Sequence, residues 1–365
     1  MSCVLLEDIV SLSKITRKGN KEVPFLSMSR EEGLVVNDDK YNTSGSTQES
    51  SKIAKYGQLV VGLHMDEGSI WVQNKVKEGA VSSAYDVLDV NLNVMDPNYM
   101  NYALHTSNCM QFYIGAGVGS TTRRCKVPWE SLKTMPINVP SLKEQKESVD
   151  LIRRIESLKH EIQLSLKTIN GVESGLFEEY VSKSSPVAIE TIAELTFGKS
   201  PVSNTKSSTG VLTYISGASD FGEVFTEGNK KVDSAERIVD SDSVLISVRD
   251  PVGKVNITSE KCAIGRGVVG VTPKRDVATT SYVYLALKKK QNALNSVAYG
   301  IIKGIGPKEV KEITLDYVSI NDQKKLSESF YEIERIRTVL QKMLFSVDVL
   351  YQKVLEERFG CSVVA

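Results

Sequence analysis

The second half of this chain repeats the order of segments in its first half, and this duplication restricts the possible folds more than any other feature. Pro140-Ser-Leu-Lys-Glu-Gln145 corresponds to Val318-Ser-Ile-Asn-Asp-Gln323, so the two glutamines are 178 residues apart. Tyr99-Met-Asn-Tyr-Ala-Leu104 corresponds to Tyr282-Val-Tyr-Leu-Ala-Leu287 at an offset of 183 residues. Matching order at a nearly constant offset is typical of a repeated structural unit. We therefore expect two similar units of about 180 residues each.

The first part of each unit is predicted to be an α+β module, residues 1–140 and 183–318. Short β-branched and aromatic runs lie between clusters of Gly, Asn and Asp, a pattern that predicts strands joined by turns. The expected strands are Val23 to Met28, Gln58 to Leu63, Ile70 to Gln73 and Val87 to Val90, then Val211 to Ser216, Ser243 to Val248, Gly253 to Ile257 and Gly267 to Val271. A helix is expected to follow in each copy, from Asn98 to Tyr113 and from Thr280 to Asn295.

The second part of each unit is predicted to be a long helix, residues 141–182 and 319–360. Apolar residues recur there with the seven-residue spacing of a coiled coil: Ile155, Leu158, Ile162, Ile169 and Val172, and Ile333, Ile336, Leu340, Val347 and Leu350. A helix over about 36 residues would be roughly 54 Å long. We expect the two helices to pair as an antiparallel coiled-coil spacer related by a pseudo-twofold repeat; the alternative is that each stripe packs on its own module.

The composition is that of an ordinary globular protein, with 41% hydrophobic and 25% charged residues. The 45 basic and 45 acidic side chains balance, which argues against a polycation that coats any nucleic acid. No apolar run reaches the roughly 18 residues that cross a bilayer, and the first residues do not resemble a signal peptide. Five scattered cysteines without a CxxC pair predict reduced thiols in a cytoplasmic protein. Three isolated histidines form no zinc cluster, so no metal is expected.

Motifs near the end of each module carry a family resemblance. The first copy has the loop Gly119-Ser-Thr-Thr-Arg-Arg124 and the strand Met135-Pro-Ile-Asn-Val-Pro140 before its helix. The second copy has Gly300-Ile-Ile-Lys-Gly-Ile-Gly306 and Ile313-Thr-Leu-Asp-Tyr-Val318, and Gly198-Lys-Ser-Pro201 lies near its start. Two variable modules, each ending in such a loop and strand and followed by a long helix, resemble the specificity subunit of type I restriction–modification systems.

This resemblance implies a non-catalytic subunit that binds double-stranded DNA. Each target-recognition domain would read one half of an asymmetric bipartite site, and the helices would set the separation between the halves. Two DNA methyltransferase subunits would dock on the helices, and restriction subunits, with nuclease and translocase activity, would complete the complex. No cofactor is expected on this chain, because S-adenosylmethionine would bind to the methyltransferase partner. Specificity subunits also serve fused methyltransferase–nuclease systems of the type IIB kind, and this alternative stays open.

Candidate DNA-binding residues are hydroxyl and basic side chains in Gly-rich loops, because such groups contact phosphates and arginine also reads guanine. They are Ser120, Thr121, Thr122, Arg123, Arg124 and Lys126 in the first copy, and Lys303 and Lys308 in the second. Arg249 and Arg266 lie at turns beside strands and are weaker candidates, as is His64 at the position in the first copy equivalent to Arg249. The run Lys288-Lys-Lys290, near a helix end, ranks below the loops.

Two other classes of function were considered. Asp96-Pro97-Asn98-Tyr99 approaches the Asn/Asp-Pro-Pro-Tyr/Phe motif of an adenine DNA methyltransferase, but it lacks the second proline. Its counterpart is Thr279-Thr-Ser-Tyr282, so we interpret both segments as helix N-termini capped by Asp96 and by Thr279 or Thr280. We find no nucleophile–base pair and predict no catalysis. A coiled-coil assembly adaptor that does not contact DNA is the third possibility.

Overall fold

The computed structural model describes residues 3–30, 32–37, 49–118, 125–181, 184–201, 206–207, 210–298, 300 and 304–361. The chain divides into two compact units. Unit 1 comprises Met1–Gln163 with Lys342–Ala365, and unit 2 comprises Leu164–Gln341. Each long helix therefore begins in one unit and ends in the other. The division at residues 140, 182 and 318 expected from the sequence stays a prediction.

Unit 1 contains an antiparallel sheet in the order β2-β9-β6-β7, and smaller pairs β1-β10, β3-β4 and β5-β8. Its strands are β1 (Cys3–Leu5), β2 (Val10–Leu12), β3 (Leu26–Ser29), β4 (Gly33–Val36), β5 (Lys52–Lys55), β6 (Leu59–Val61), β7 (Ile70–Val72), β8 (Glu78–Val81), β9 (Asp86–Val90) and β10 (Pro136–Asn138). Its helices are α1 (Pro97–Ala103), α2 (Ser107–Ala116) and α3 (Trp129–Leu132), followed by the start of α4 (Leu142–Val181).

Unit 2 contains an antiparallel sheet in the order β12-β20-β17-β18, a mixed sheet in the order β13-β15-β14-β19-β16, and the pair β11-β21. Its strands are β11 (Ser185–Ala188), β12 (Ala193–Phe197), β13 (Lys206–Ser207), β14 (Leu212–Ile215), β15 (Lys231–Val232), β16 (Ile238–Val239), β17 (Val244–Ser247), β18 (Val255–Ile257), β19 (Cys262–Ile264), β20 (Val268–Pro273) and β21 (Thr314–Tyr317). Its helices are α5 (Ile189–Ile192), α6 (Thr280–Ser296) and α7 (Pro307–Lys311), followed by the start of α8 (Ile320–Phe359).

The predicted duplication is confirmed by strand order and register. The sheets β2-β9-β6-β7 and β12-β20-β17-β18 have the same connectivity, and the pairs β1-β10 and β11-β21 correspond as well. Leu59 lies opposite Leu88 in unit 1, as Val244 lies opposite Val271 in unit 2. Because period-two burial fixes the register of a strand, equivalent apolar residues occupy the same face in both copies.

The two aligned glutamines make the same hydrogen bonds in their own units. Gln145 accepts from the backbone N–H of Asp96 at 2.7 Å and donates to the carbonyls of Val94 and Pro140. Gln323 accepts from the backbone N–H of Thr279 at 2.9 Å. It donates to the carbonyls of the residues equivalent to Val94 and Pro140, namely Val277 and Val318. The offsets of 183 and 178 residues found in the sequence thus separate residues that make equivalent hydrogen bonds in the two units.

Both long helices begin with a serine cap, which in α4 is a full capping box. Ser141 and Glu144 bond reciprocally through side chain and backbone at the start of α4. At the start of α8 the Ser319 hydroxyl donates to the Asp322 carboxylate at 2.8 Å and accepts from the backbone N–H of Asp322 at 3.2 Å. Hydrogen bonds from Ser141 lower the pKa of Glu144, and the Ser319 hydroxyl lowers that of Asp322. Replacement of glutamate by aspartate in the second copy therefore keeps an acceptor beside the serine.

The long helices α4 and α8 have 40 residues each and run antiparallel where they meet in unit 1. Lys159 lies 2.7 Å from Asp348, and Glu156, three residues earlier, hydrogen-bonds Tyr351, three residues later. Among the described residues, no helix is both long enough and apolar enough to cross a membrane.

The predicted seam between the helices is only half correct. Ile155, Ile162 and Val347 are buried, and Ile169, Ile333 and Leu340 are half-buried. The other predicted seam residues are 41–53% exposed: Leu158, Val172, Ile336 and Leu350. In a helix of 3.6 residues per turn, position i+4 lies as near the stripe as i+3. Here the neighbours at i+4 are half-buried or buried, and the two buried ones are the charged residues Glu173 and Arg337, which an apolar pattern does not reveal.

Two further expectations were wrong. The helix expected from Asn98 to Tyr113 is broken into α1 and α2, because the Thr106 hydroxyl binds the Ala103 carbonyl at the junction. The cysteines were expected to be reduced, but Cys3 and Cys361 are joined by a disulfide. Their sequence separation of 358 residues hides their proximity, which arises because β1 and the end of α8 both belong to unit 1.

Candidate nucleic-acid interface

The most basic concave surface described in unit 2 is a cleft of about 610 Å³. Arg249, Lys254 and Arg266 line it together with the hydroxyl side chains Ser200, Tyr214, Ser216 and Ser219. Asp250 is the acidic residue of the lining. The three cations form no ion pair with any described carboxylate. An electropositive, hydroxyl-rich concavity of this kind suits phosphate oxygens and the acceptor atoms of guanine.

Arg249 is positioned by the turn that follows β17. Its backbone forms an isolated antiparallel β-bridge with Gly304, and this contact fixes the point at which the turn leaves the sheet. Ser247 is fully buried; its hydroxyl donates to the Pro251 carbonyl and accepts from the backbone N–H of Lys254 at 2.9 Å. A single buried hydroxyl thus holds together the turn that presents both Arg249 and Lys254. Sequence reasoning missed Ser247, although a polar residue at the end of an otherwise apolar strand was a visible signal.

Arg266 is positioned by the turn between β19 and β20. Its Nε donates to the Ser200 hydroxyl at 3.0 Å, which ties this turn to the motif Gly198-Lys-Ser-Pro201. A Cβ atom at Gly198 would lie 2.0 Å from the carbonyl oxygen of Gly265. A Cβ at Gly265 would lie 2.4 Å from the Tyr214 hydroxyl. Gly198 is therefore required for the two backbones to approach this closely, whereas Gly265 leaves room for the Tyr214 hydroxyl.

Arg249 and Arg266, which ranked as weaker candidates in the sequence, are thus brought together in one cleft. They also line a neighbouring cleft of about 260 Å³ with Gly198 and Ile305. Lys308 lies on α7, its side chain 81% exposed and 3.9 Å from Glu312, and it is not part of either lining. Lys303 lies outside the described residues.

Unit 1 has a cleft of about 210 Å³ lined by residues of β2, β9 and α3, and neither His64 nor Lys126 belongs to that lining. His64 follows β6 and bridges to Cys125, as Arg249 follows β17 and bridges to Gly304. Lys52 and Asp86 contribute the charges of this cleft. Lys126, next to Cys125, lies 2.8 Å from the Asp86 carboxylate. The remaining predicted loop residues of this copy, Ser120, Thr121, Thr122, Arg123 and Arg124, lie outside the described residues.

The lysine run of α6 contacts carboxylates of unit 2. Lys288 lies 2.6 Å from Glu173, and Lys289 lies 2.9 Å from Glu178. Hydrogen bonding to Glu178 raises the pKa of Lys289. These two lysines therefore join α6 to α4, and their ranking below the loops is consistent with that role.

The segment that approaches a methyltransferase motif is a helix start. Asp96 accepts hydrogen bonds from the backbone N–H groups of Asn98 and Tyr99, and Thr279 caps the equivalent helix through Tyr282. The predicted caps Asp96 and Thr279 are confirmed. Tyr99 is fully buried, and its ring stacks on Phe359 with 4.8 Å between centroids. It therefore presents no free face on which a flipped base could stack.

Comparisons with known proteins agree with this architecture. A family model, the type I restriction modification DNA specificity domain, matches residues 182–342. The putative type I restriction enzyme MjaX specificity subunit of Methanocaldococcus jannaschii is 22% identical over 295 residues, which cover 74% of this chain and 68% of the relative.

Solved structures share the fold. The S subunit of a type I restriction–modification system from M. genitalium is 16% identical, with a TM-score of 0.60 over 99% of this chain and 96% of that one. A chain from a structural study of complex assembly and conformational transition of the type I R-M system is 14% identical, with a TM-score of 0.60 over 98% and 97%. The α+β fold with two long helices is therefore that of the solved S subunit, and residues 182–342 of this chain match the type I restriction modification DNA specificity domain.

Proposed function

We propose that this chain reads an asymmetric bipartite DNA sequence, with each unit contacting one half, and that it catalyses no reaction itself. The observation that carries the proposal is the cleft in which Arg249, Lys254 and Arg266 converge without a described carboxylate partner. Arginine and lysine side chains that converge on a concave surface can contact phosphates and base edges, and the position of Arg249 carries His64 in unit 1. Two dissimilar readers on one scaffold suit an asymmetric target.

The long helices are proposed to dock two DNA methyltransferase subunits, and restriction subunits would join the assembly. Exposed apolar side chains on the helices support this assignment, because such residues mark interaction surfaces when they are grouped. In unit 1 they are Leu151, Leu158, Met343, Phe345 and Val349, and in unit 2 they are Leu164, Val172, Ile336 and Val339. In this proposal S-adenosylmethionine binds to the methyltransferase, and the complex works on DNA in the cytoplasm.

The DNA-binding part of the proposal is tested by single substitutions in the cleft of unit 2. Arg249→Ala and Arg266→Ala should each reduce the salt dependence of binding to the cognate duplex by about one released counterion. An arginine that reads guanine should also contribute about 1–3 kcal/mol of discrimination at one base position. Arg275→Ala is the matched control, because its side chain is 97% exposed but lies outside the cleft. Equal losses for all three variants would reject the cleft as the reader.

The bipartite target is tested in the cognate cell. Long-read sequencing of modified bases should reveal one split motif that disappears when this chain is deleted. Absence of a split motif would refute the proposal. A fused methyltransferase–nuclease in the neighbouring reading frame would assign the chain to that type of system instead. Methyl transfer by the purified chain without a partner would mean that it is an enzyme.

A further inference from the structure

Asp86, the first residue of β9, lines the cleft of unit 1 and lies between two lysines, of which Lys52 also lines the cleft. Its Oδ2 lies 2.8 Å from Nζ of Lys126, and its Oδ1 lies 3.6 Å from Nζ of Lys52. Lys52 is 10% exposed and also donates to the carbonyl of Tyr85. Lys126 is 43% exposed and Asp86 40%, so this ion pair is accessible to solvent.

The equivalent position in unit 2 carries no charge. Asp86 lies opposite Val61 across β6 and β9, and Val269 lies opposite Ile246 across β17 and β20. Val269 is 2% exposed. The two copies therefore differ in one respect that matters for anions: Arg249, Lys254 and Arg266 of unit 2 form no ion pair with any described carboxylate, whereas Lys126 is paired with Asp86.

A carboxylate and a phosphate make the same contact with a lysine ammonium group, a short charge-assisted hydrogen bond to an anionic oxygen. The ion pair between Lys126 and Asp86 therefore has to break before the Lys126 ammonium group can bind a DNA phosphate on the same side. Any sequence-independent affinity from this lysine is reduced by the strength of the existing pair. Because non-specific DNA binding consists almost entirely of such phosphate contacts, it is affected more than specific binding.

We propose that Asp86 competes with DNA phosphate for Lys126 and thereby limits sequence-independent binding by unit 1, which makes it a specificity-determining residue. This inference rests on the proposed DNA-reading function. Lys52 is a nearly buried cation, so it continues to hold Asp86 in the cleft when Lys126 contacts the phosphate instead. The specific complex tolerates the competition because base contacts add free energy that random sequences do not provide.

The test is Asp86→Asn in the full chain, with binding to a fluorescent duplex of random sequence measured over a range of salt concentrations. We expect the affinity at low salt to rise about three- to tenfold, and the salt dependence to steepen by about one counterion. Asp89→Asn is the matched control: Asp89 is an exposed carboxylate on the same strand that accepts from the neutral Gln58. The double variant Asp86→Asn/Lys126→Gln should bind like the wild-type chain.

The outcomes separate this inference from the proposed function. If Asp86→Asn leaves random-duplex binding unchanged while the cognate duplex is bound, the inference is wrong and the DNA-reading function stands. If Asp89→Asn raises the affinity equally, net charge and not competition is the cause, and the inference is again wrong. If the wild-type chain retains no duplex at low salt, the proposed function itself fails.

A further variant keeps the test valid if Asp86→Asn unfolds, since Lys52 would lose its counter-charge. Lys126→Gln alone should lower random-duplex affinity less than twofold, because the lysine is already occupied by Asp86. A tenfold loss from that single variant would show that Lys126 binds phosphate without competition.

Discussion

Removal of the buried glutamine at the start of a long helix is expected to destabilise the unit that contains it. Gln145 and Gln323 are both fully buried, and each makes three hydrogen bonds that join a helix start to the segment preceding another helix. An alanine at either position leaves backbone groups without partners in the protein interior. The desolvation of an unpartnered group costs more than a hydrogen bond contributes.

The expected magnitudes differ between the two copies. The bonds of Gln145 measure 2.7, 2.7 and 2.8 Å, and those of Gln323 measure 2.9, 2.9 and 3.3 Å. The carbonyl of Val277 also accepts from the Tyr317 hydroxyl at 3.1 Å, so it keeps a partner in Gln323→Ala. At about 1 kcal/mol for each lost bond plus the penalty for orphaned groups, we expect Gln145→Ala to cost about 3–4 kcal/mol. Gln323→Ala should cost about 2–3 kcal/mol.

The assay has to resolve the two units, because a chain with two compact units does not unfold in one step. Hydrogen exchange followed by mass spectrometry in increasing urea gives a separate opening free energy for peptides from each unit. Gln163→Ala, an exposed glutamine on α4, is the control and should change neither value. A cost below 1 kcal/mol for Gln145→Ala, or a larger cost for Gln323→Ala, would refute the reasoning.

Three further predictions concern the buried charges of the long helices and the disulfide. Burial raises the pKa of Glu334 from its ordinary 4.5 to about 7, so the folded chain holds a proton that the unfolded chain releases. The free energy of unfolding should therefore fall as the pH rises from about 4.5 to about 7, and Glu334→Gln should remove that slope in urea titrations. Glu173→Gln removes the carboxylate that hydrogen-bonds the buried Arg337, which keeps Glu334 at 3.1 Å, so we expect a cost of about 3 kcal/mol; Glu173→Leu combined with Arg337→Met should recover most of it. Peptide mapping without reductant should recover Cys3 linked to Cys361, and Cys361→Ser should lower the free energy of unfolding by about 2–5 kcal/mol.

The scaffold was predictable because its determinants are local in sequence. The Ser141 and Ser319 caps, the Asp96 cap and the two glutamines follow from short motifs that occur twice. Duplication added a second test of each motif, since a chance pattern has no reason to recur at the same offset. The strands that were predicted deviate from expectation mainly at their ends, but short strands such as β4, β5, β8 and β19 were not predicted.

The helix seam and the cleft were less predictable because they depend on tertiary contacts. A heptad pattern does not say whether i+3 or i+4 faces the neighbour, and the Glu173–Arg337 pair shows that charges occupy the buried side. Arg249 and Arg266 looked like isolated turn residues, because they are 17 positions apart and meet only through the folding of β17 to β20. Ser200, which orients Arg266, is 66 residues away in sequence.

The contrast between these two sets of residues explains how one scaffold can serve different targets. Gln145 and Gln323 are identical because their partners are backbone groups, whose positions are fixed by the fold. The cleft positions differ, with His64 in place of Arg249. These two side chains are exposed, and exposed substitutions generally change stability by less than about 0.5 kcal/mol. Substitutions on the cleft surface therefore change the stability of the fold very little, whereas substitutions of the buried glutamines destabilise it. We expect cleft substitutions to alter the specificity of each unit while the duplicated architecture is retained.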